Sequence, residues 1–235
     1  LVNDCILEEL DEECSWEEFF ERVKRRLKEE CIAINNRVKN LYIIPAPFML
    51  MMNDGCIERA RDISLGAKYN NFGFHGVGVS TAVDSLAALR HCCFEEQSLS
   101  VEEAKDIVRN GFEGKDELFA KLRYEEPKFG NNDDRADQIA VDLLDAFGES
   151  VKGLKNERGG CIRAGTGSAM YYLWYADNVS TSLSGHCKGE ALSANYSPEL
   201  FVRNRGPLSV MQSFTKPNLG KVCNGGPLTM EFHST

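Results

Sequence analysis

"GAKYNNFGFHGVGVSTAVDSLAALR", residues 66 to 90, is the stretch whose reading decides the fold. Three glycines, Gly73, Gly76 and Gly78, run straight into a segment of helical periodicity. A dinucleotide fingerprint would need G-x-G-x-x-G behind a strand. A P-loop would need G-x-x-x-x-G-K-[ST], so that backbone N–H groups and a helix N-terminus face the phosphates. The observed spacing fits neither pattern, the residues ahead of it (Lys68, Tyr69, Asn70, Asn71) are polar, and no Lys opens the helix. The glycines are therefore read as positions of positive φ or of close backbone approach. Ser80 or Thr81 would cap a helix whose inner face is Val83, Leu86, Ala87 and the stem of Arg90.

The wider composition is that of an ordinary globular chain. Its 235 residues, 43% of them hydrophobic, can supply a core. A formal charge of −9 argues against nucleic acid, because phosphate binding needs clustered Lys and Arg. The one basic cluster, Lys24, Arg25, Arg26 and Lys28, sits among glutamates and reads as a solvated helix face. Nine cysteines without a CxxC pair, two of them adjacent (Cys92 and Cys93), suit free thiols in a reducing compartment. Zinc-type spacing such as C-x₂₋₄-C with a second pair is missing, so no metal site is expected. The chain does not open on a secretory signal, and its longest apolar run, "LYIIPAPFMLMM", holds two prolines. That run is well short of the roughly 20 residues of a membrane span. A cytoplasmic protein is expected, and a first residue other than Met suggests a piece of something longer.

Helical signals dominate the first 157 residues. Ser15 and Glu18 form a capping box ahead of Trp16, Phe19, Phe20, Val23, Leu27, Cys31, Ile34 and Val38 at helical spacing. A second helix is expected from Asp133 or Asp134, with Ala136, Ile139, Ala140, Leu143, Phe147, Val151 and Leu154 on one side, and a shorter one after the Ser100/Glu103 box. Beyond residue 157 the chain turns to glycines, Ser/Thr and β-prone runs. "RGGCIRAGTGSAMYYLWYA" and "GPLSVMQSF" are the best strand candidates. No internal repeat stands out, and residues 1–235 are read as a single α/β unit with a helix-rich first part and a strand- and loop-rich second part.

Several strings together resemble one family. "KFGNNDDRADQIAVDLLDAF" (residues 128–147) resembles a stretch of pyruvate formate-lyase in which F-G-N-N-D precedes a helix. "GAKYN", "GVGVSTAVDSLAAL", "RGG", "NRGPLSVMQSFTK" and "NGGPLTMEFH" are similar, in the same order, to stations of the wider glycyl radical enzymes. The resemblance implies part of a ten-stranded α/β barrel, with the opening glycines belonging to the barrel rather than to a nucleotide site. It implies radical C–C or C–X cleavage of a small metabolite, as in formate acyltransferases, diol dehydratases and decarboxylases. A glycyl radical, installed by a separate radical-SAM activating enzyme, would generate a thiyl radical that takes a hydrogen atom from substrate. Both radical stations lie outside the matched segment, since no R-V-x-G-Y string occurs and the thiyl cysteine would lie upstream. The chain is thus expected to bind no cofactor itself, to be inactive alone, and to need the remainder of its barrel, homodimeric when whole. "GCIE" at residues 55–58 mimics the thiyl motif. Its surroundings resemble a downstream family helix, and Met49, Met52, Cys56 and Ala60 would share one helical face, which favours a buried structural thiol.

By the same resemblance the strand after "RGG" lines the barrel, so the substrate-binding candidates are Arg163, Thr166, Gly167 and Ser168. Gly167 falls where related branches carry a pocket tyrosine, Thr166 and Ser168 could hydrogen-bond a hydroxyl or carboxylate, and Arg163 could pair with an acid. Alternatively Arg163 faces outward and the two hydroxyls satisfy a strand edge. In place of the family's D-G-R turn the chain has "LSGHCKGE", keeping Gly185 and placing His186 at the arginine position. His75 could carry a proton, whereas His233 fits a structural F-H station. Two other functions remain as alternatives: a non-catalytic split or degenerate barrel subunit acting by assembly, and a Cys–His hydrolase using Cys161 or Cys187 with His186, for which no nucleophile motif is present.

Overall fold

The computed structural model describes residues 1–230, so the His233 station lies outside the described residues. Helix α1 (Val2–Glu9) lies along α2 (Trp16–Arg37). Ser15 opens α2 with the expected reciprocal capping box. Phe19, Phe20, Val23 and Cys31 are buried, while Ile34 is exposed and Val38 falls beyond the helix, so the apolar stripe fades toward the C-terminal end. The basic cluster is more than a solvated face: Arg25 reaches Glu9 of α1 at 2.5 Å and Arg26 reaches Glu8 at 3.1 Å.

The helix expected around Cys56 is interrupted. Only α3 (Pro47–Met51) is helical, with Pro47 in its first turn, and turns follow to residue 60 before α4 (Ile63–Gly66). Met49 and Met52 are exposed, whereas Cys56 is fully buried, so its structural role stands without the shared helical face.

Two strands, β1 (Phe72–His75) and β2 (Ile162–Gly165), pair in parallel with Phe72 opposite Ile162 and His75 opposite Gly165. β1 lies inside the helix-rich half, in a stretch the polar lead made look like a loop. Those polar residues are what hold it: Asn156 Nδ2 donates to Asn70 O at 2.6 Å, and Cys161 N donates to Asn71 Oδ1 at 2.9 Å. After β1, α5 (Val79–Leu89) starts at Gly78, whose φ of 66° is left-handed. Ser80 and Thr81 therefore sit inside the helix and do not cap it, while Val83, Leu86 and Ala87 are buried as expected. The helix then widens over Arg90–Glu95, with Glu96 N bonded to His91 O five residues back at 2.8 Å.

Helix α6 (Val101–Asn110) follows the Ser100/Glu103 box, and α7 (Asp116–Ala120) runs into a second widened turn over Lys121–Glu125. Asp133 caps α8 (Asp134–Val151), which packs against α2, α5 and β2 and forms the centre of the core; Leu154 falls outside it. Two short helices complete the second half, α9 (Tyr171–Trp174) and α10 (Pro207–Thr215). α10 overturns the reading of "GPLSVMQSF" as a strand. Pro207 occupies the first helical turn, where its missing N–H and fixed φ suit a helix start. Likewise only Ile162–Gly165 of the "RGG" run is a strand, so the second half is chiefly loop and short helix rather than strand. Among the described residues no helix is long and apolar enough to cross a membrane, and all nine cysteines are free thiols.

Candidate functional site

Alternation along a strand sends successive side chains to opposite faces. On β2, Ile162 and Ala164 are buried toward α8, and Arg163 is exposed on the other side. The register sets Gly73 of β1 beside Arg163 and His75 beside Gly165. The face of the sheet turned away from the helices thus carries His75 and Arg163.

A third segment continues this arrangement. Asn224 N donates to Ala164 O at 2.9 Å and Thr166 N donates to Gly225 O at 2.8 Å, so residues 224–225 run beside β2 in the same direction. The Asn224 carboxamide crosses to β1, where Nδ2 donates to His75 Nε2 at 2.8 Å. That contact assigns the imidazole proton to Nδ1. Gly73 is what makes room: a Cβ there would stand 1.8 Å from Asn224 Nδ2. A Cβ at Gly167 would stand 3.5 Å from His75 Nδ1, in ordinary van der Waals contact, so the position lies directly beside the imidazole. A groove of about 740 Å³ opens on the helical side at the C-terminal end of β1, lined by Phe74, Val79, Leu143 and Phe147 among others, and of His75, Arg163, Gly167 and Asn224 only His75 borders it. Open parallel sheets bind ligands at this end of their strands.

The four candidates divide. Arg163 and Gly167 stand on or beside the free face, whereas Thr166 and Ser168 are buried. Ser168 is engaged with a neighbouring loop: its N–H donates to Asn195 Oδ1 and its Oγ accepts from Asn195 N, both at 2.8 Å. Thr166 is covered by Gly226, where a Cβ would lie 2.1 Å from Thr166 Oγ1. The Ser168 hydroxyl is thus engaged in holding that loop, and the Thr166 hydroxyl lies under Gly226. Asn224 was not legible as a site residue; its one signal is a carboxamide directly ahead of two glycines.

A buried charge cluster lies beside α5. Asp84 Oδ1 accepts from Phe129 N at 2.7 Å, and burial pushes the carboxyl up to about 7. Glu199 is pushed to about 8, again chiefly by burial. Lys128 is held below the usual ammonium range by burial and donates to the carbonyls of Leu122 and Ser184 at 2.7 and 2.9 Å. Glu199 thus carries its proton at neutral pH, which limits the charge buried beside Lys128.

The Cys–His alternative finds no support in this geometry. His186 is buried with Nε2 donating to Glu190 O at 2.8 Å, and burial holds it below the usual imidazole range. Cys187 is pushed up by burial and then by Glu190, the reverse of an activated thiolate. Arg123 clamps Glu190 with two bonds of 2.8 and 3.0 Å and also donates to Gly185 O at 2.7 Å. A Cβ at Gly185 would meet Arg123 Cα at 2.6 Å, which is why the glycine of this turn is kept.

Two parallel strands backed by helices, with polar groups on the uncovered face, make this an α/β structure. Residues 7–176 match the family described as pyruvate formate lyase-like, and the chain belongs to that family of glycyl radical enzymes. It is 29% identical over 220 residues to the trans-4-hydroxy-L-proline dehydratase of Clostridioides difficile, covering 91% of this chain and 28% of that protein. It is 27% identical to the (2S)-3-sulfopropanediol dehydratase of Klebsiella oxytoca, covering 80% of this chain and 24% of the relative. The glycerol-bound B12-independent glycerol dehydratase of Clostridium butyricum superposes with a TM-score of 0.79 at 26% identity, over 97% of this chain and 31% of that structure. The chain therefore spans less than a third of the length of these relatives.

Proposed function

We propose that this chain forms part of the wall of a ten-stranded radical barrel, and that its free sheet face borders a small hydroxylated substrate bearing an acidic group. The observation that supports this reading is the shared outlook of Arg163, His75 and Asn224 on the face opposite the helices. Arg163 would pair with the acid, a contact that strengthens once the barrel closes and water is excluded. His75, held by Asn224, presents a proton at Nδ1 to the neighbouring hydroxyl or leaving group, and Gly167 leaves the space for it. Two relatives are named for substrates that combine a hydroxyl with an acid, hydroxyproline and sulfopropanediol. The reaction is an elimination or lyase step begun by hydrogen-atom abstraction. The thiyl cysteine and the glycyl radical, the latter installed by a radical-SAM activating enzyme, would reside on other parts of the assembled protein. That protein acts as a cytoplasmic homodimer, and the isolated chain turns over no substrate.

The test uses the full-length protein, anaerobically activated and offered a panel of hydroxylated carboxylates, sulfonates and uncharged diols. Product formation from an acidic member and a KM raised at least tenfold by Arg163→Met, at unchanged radical yield by electron paramagnetic resonance, support the reading. Turnover of uncharged diols only, or an unchanged KM in the variant, overturns it.

A further inference from the structure

We propose that the helical side of the molecule holds a second, unrelated site: a zinc-type divalent ion bound by His91, Cys92, Glu96 and Glu126. One ligand atom from each of these four residues lies within 4.8 Å of the others. Tetrahedral zinc with bonds of about 2.0–2.3 Å sets its donors roughly 3.3–3.8 Å apart, so side-chain rotations of about an ångström would close the set. An imidazole, a thiol and two carboxylates are a borderline donor set that suits zinc or cobalt(II) and disfavours magnesium and calcium, which take oxygen ligands.

The backbone explains why the four converge. His91 and Cys92 lie on the widened turn after α5, and Glu126 closes the widened turn after α7. Such turns re-aim side chains that a regular helix would fan apart, and they recur at functional sites. His91 Nδ1 already lies 2.6 Å from Glu126 Oε2, and its Nε2 lies 3.5 Å from Glu96 Oε1. The Glu126 carboxylate is almost wholly buried, at 2% side-chain exposure, and the Cys92 thiol is fully buried. The set is open to solvent on one side, where the Glu96 side chain is exposed and His91 is partly so.

Lys121 marks where positive charge is wanted. Its ammonium lies 2.9 Å from Glu96 Oε2 and 3.7 Å from Glu126 Oε1. With the ion bound, the Cys92 thiol gives its proton to solvent and forms a metal–sulfur bond. The ion's two positive charges and that of Lys121 then balance one thiolate and two carboxylates. Spacing of C-x₂₋₄-C type could not reveal the site, since it has a single cysteine and one donor comes from 30 residues further on.

The experiment is zinc and cobalt(II) titration of the full-length protein in the presence of a chromophoric competitor. One ion per chain is expected, with a cobalt spectrum showing a thiolate charge-transfer band that is lost in Cys92→Ser and kept in Cys223→Ser. Glu126→Gln is expected to weaken zinc binding by at least tenfold. Should Cys92→Ser or Glu126→Gln fail to fold, Lys121→Met serves instead: removing the neighbouring positive charge raises affinity if the ion sits here. No binding at micromolar zinc overturns the proposal. So does a cobalt band that survives Cys92→Ser, or an affinity unaffected by both Glu126→Gln and Lys121→Met.

Discussion

Cys92 and Glu199 show how a single residue's meaning follows from what burial does to it, and Glu199 gives the sharper prediction. Its carboxyl, raised to about 8, keeps in the folded state a proton that the unfolded chain releases near the ordinary glutamate value of about 4.3. The native state therefore binds more protons across that interval. Its contribution to stability is full below about pH 4 and is lost as pH rises through 8. Lys128, lowered by burial, acts with the opposite sign, and Glu199→Gln leaves it in place. We expect the variant to equal the wild type near pH 4 and to gain on it steadily toward pH 8, as read from urea unfolding at a series of pH values. Parallel curves for the two proteins would contradict a protonated Glu199. Glycines give a second residue-scale prediction. A Cβ at Gly160 would stand 1.8 Å from the Asn70 carbonyl oxygen, part of the rigid entry to β1. At Gly73 it would meet the side chains of Asn224 and His75. Gly160→Ala should cost about 1–3 kcal/mol by overpacking against backbone. Gly73→Ala should cost less stability but break the Asn224–His75 contact, a difference visible in the imidazole resonances by NMR.

At the scale of elements, joints between helices carry more than the helices themselves. Asp137 of α8 is fully buried, accepts from Ser213 of α10 at 2.9 Å and pairs with Lys216 at 2.6 Å. Removing one partner of a buried pair costs about 3–5 kcal/mol. Because Lys216 can regain water, Asp137→Ala should fall near 3 kcal/mol. Ser15→Ala, which removes only a solvent-exposed cap, should cost about 1 kcal/mol; chemical denaturation separates the two. The same contrast explains what could be read in advance. α2, α6 and α8 announce themselves locally, through Ser15, Ser100 and Asp133 and the periodicity that follows. β1 and α10 do not. Four residues with a central glycine carry no period, and β1 exists because Asn71, Asn156 and the carbonyl of Cys161, about 90 residues away in the chain, hold it in register. α10 looked β-prone at Val210 and Phe214, and tertiary packing decided for helix. The place of Arg163 on a strand was legible from the β-prone run around it. The burial of Thr166 and Ser168 was not, since it depends on where Gly226 and Asn195 return.

At the scale of the whole molecule, the apolar surface is distributed as though a large part of it were meant to be covered. Leu41, Tyr42, Ile44, Phe48, Met51 and Met52 are exposed within one short run, and Tyr171, Leu173 and Trp174 on and around α9 add a second group. Exposed groups of this kind in a monomer mark surfaces that bind something. The sheet points the same way. Among the described residues β1 and β2 pair only with each other, joined by residues 224–225 beside β2, so the far edge of β1 offers unpaired backbone groups to any strand that comes near. The net charge of −9 opposes close approach of two copies at low salt, and screening removes that repulsion as ionic strength rises. We therefore expect this chain, expressed alone, to self-associate, increasingly so with salt, and to bind a hydrophobic dye strongly. Co-expression with the remainder of a barrel should abolish both effects and protect the amides of β1 from hydrogen exchange. The measurement is light scattering across a salt series, with and without the partner segments. A chain that stays monomeric and dye-silent at high salt would mean that these faces close on each other in solution, leaving no place for further barrel strands beside β1.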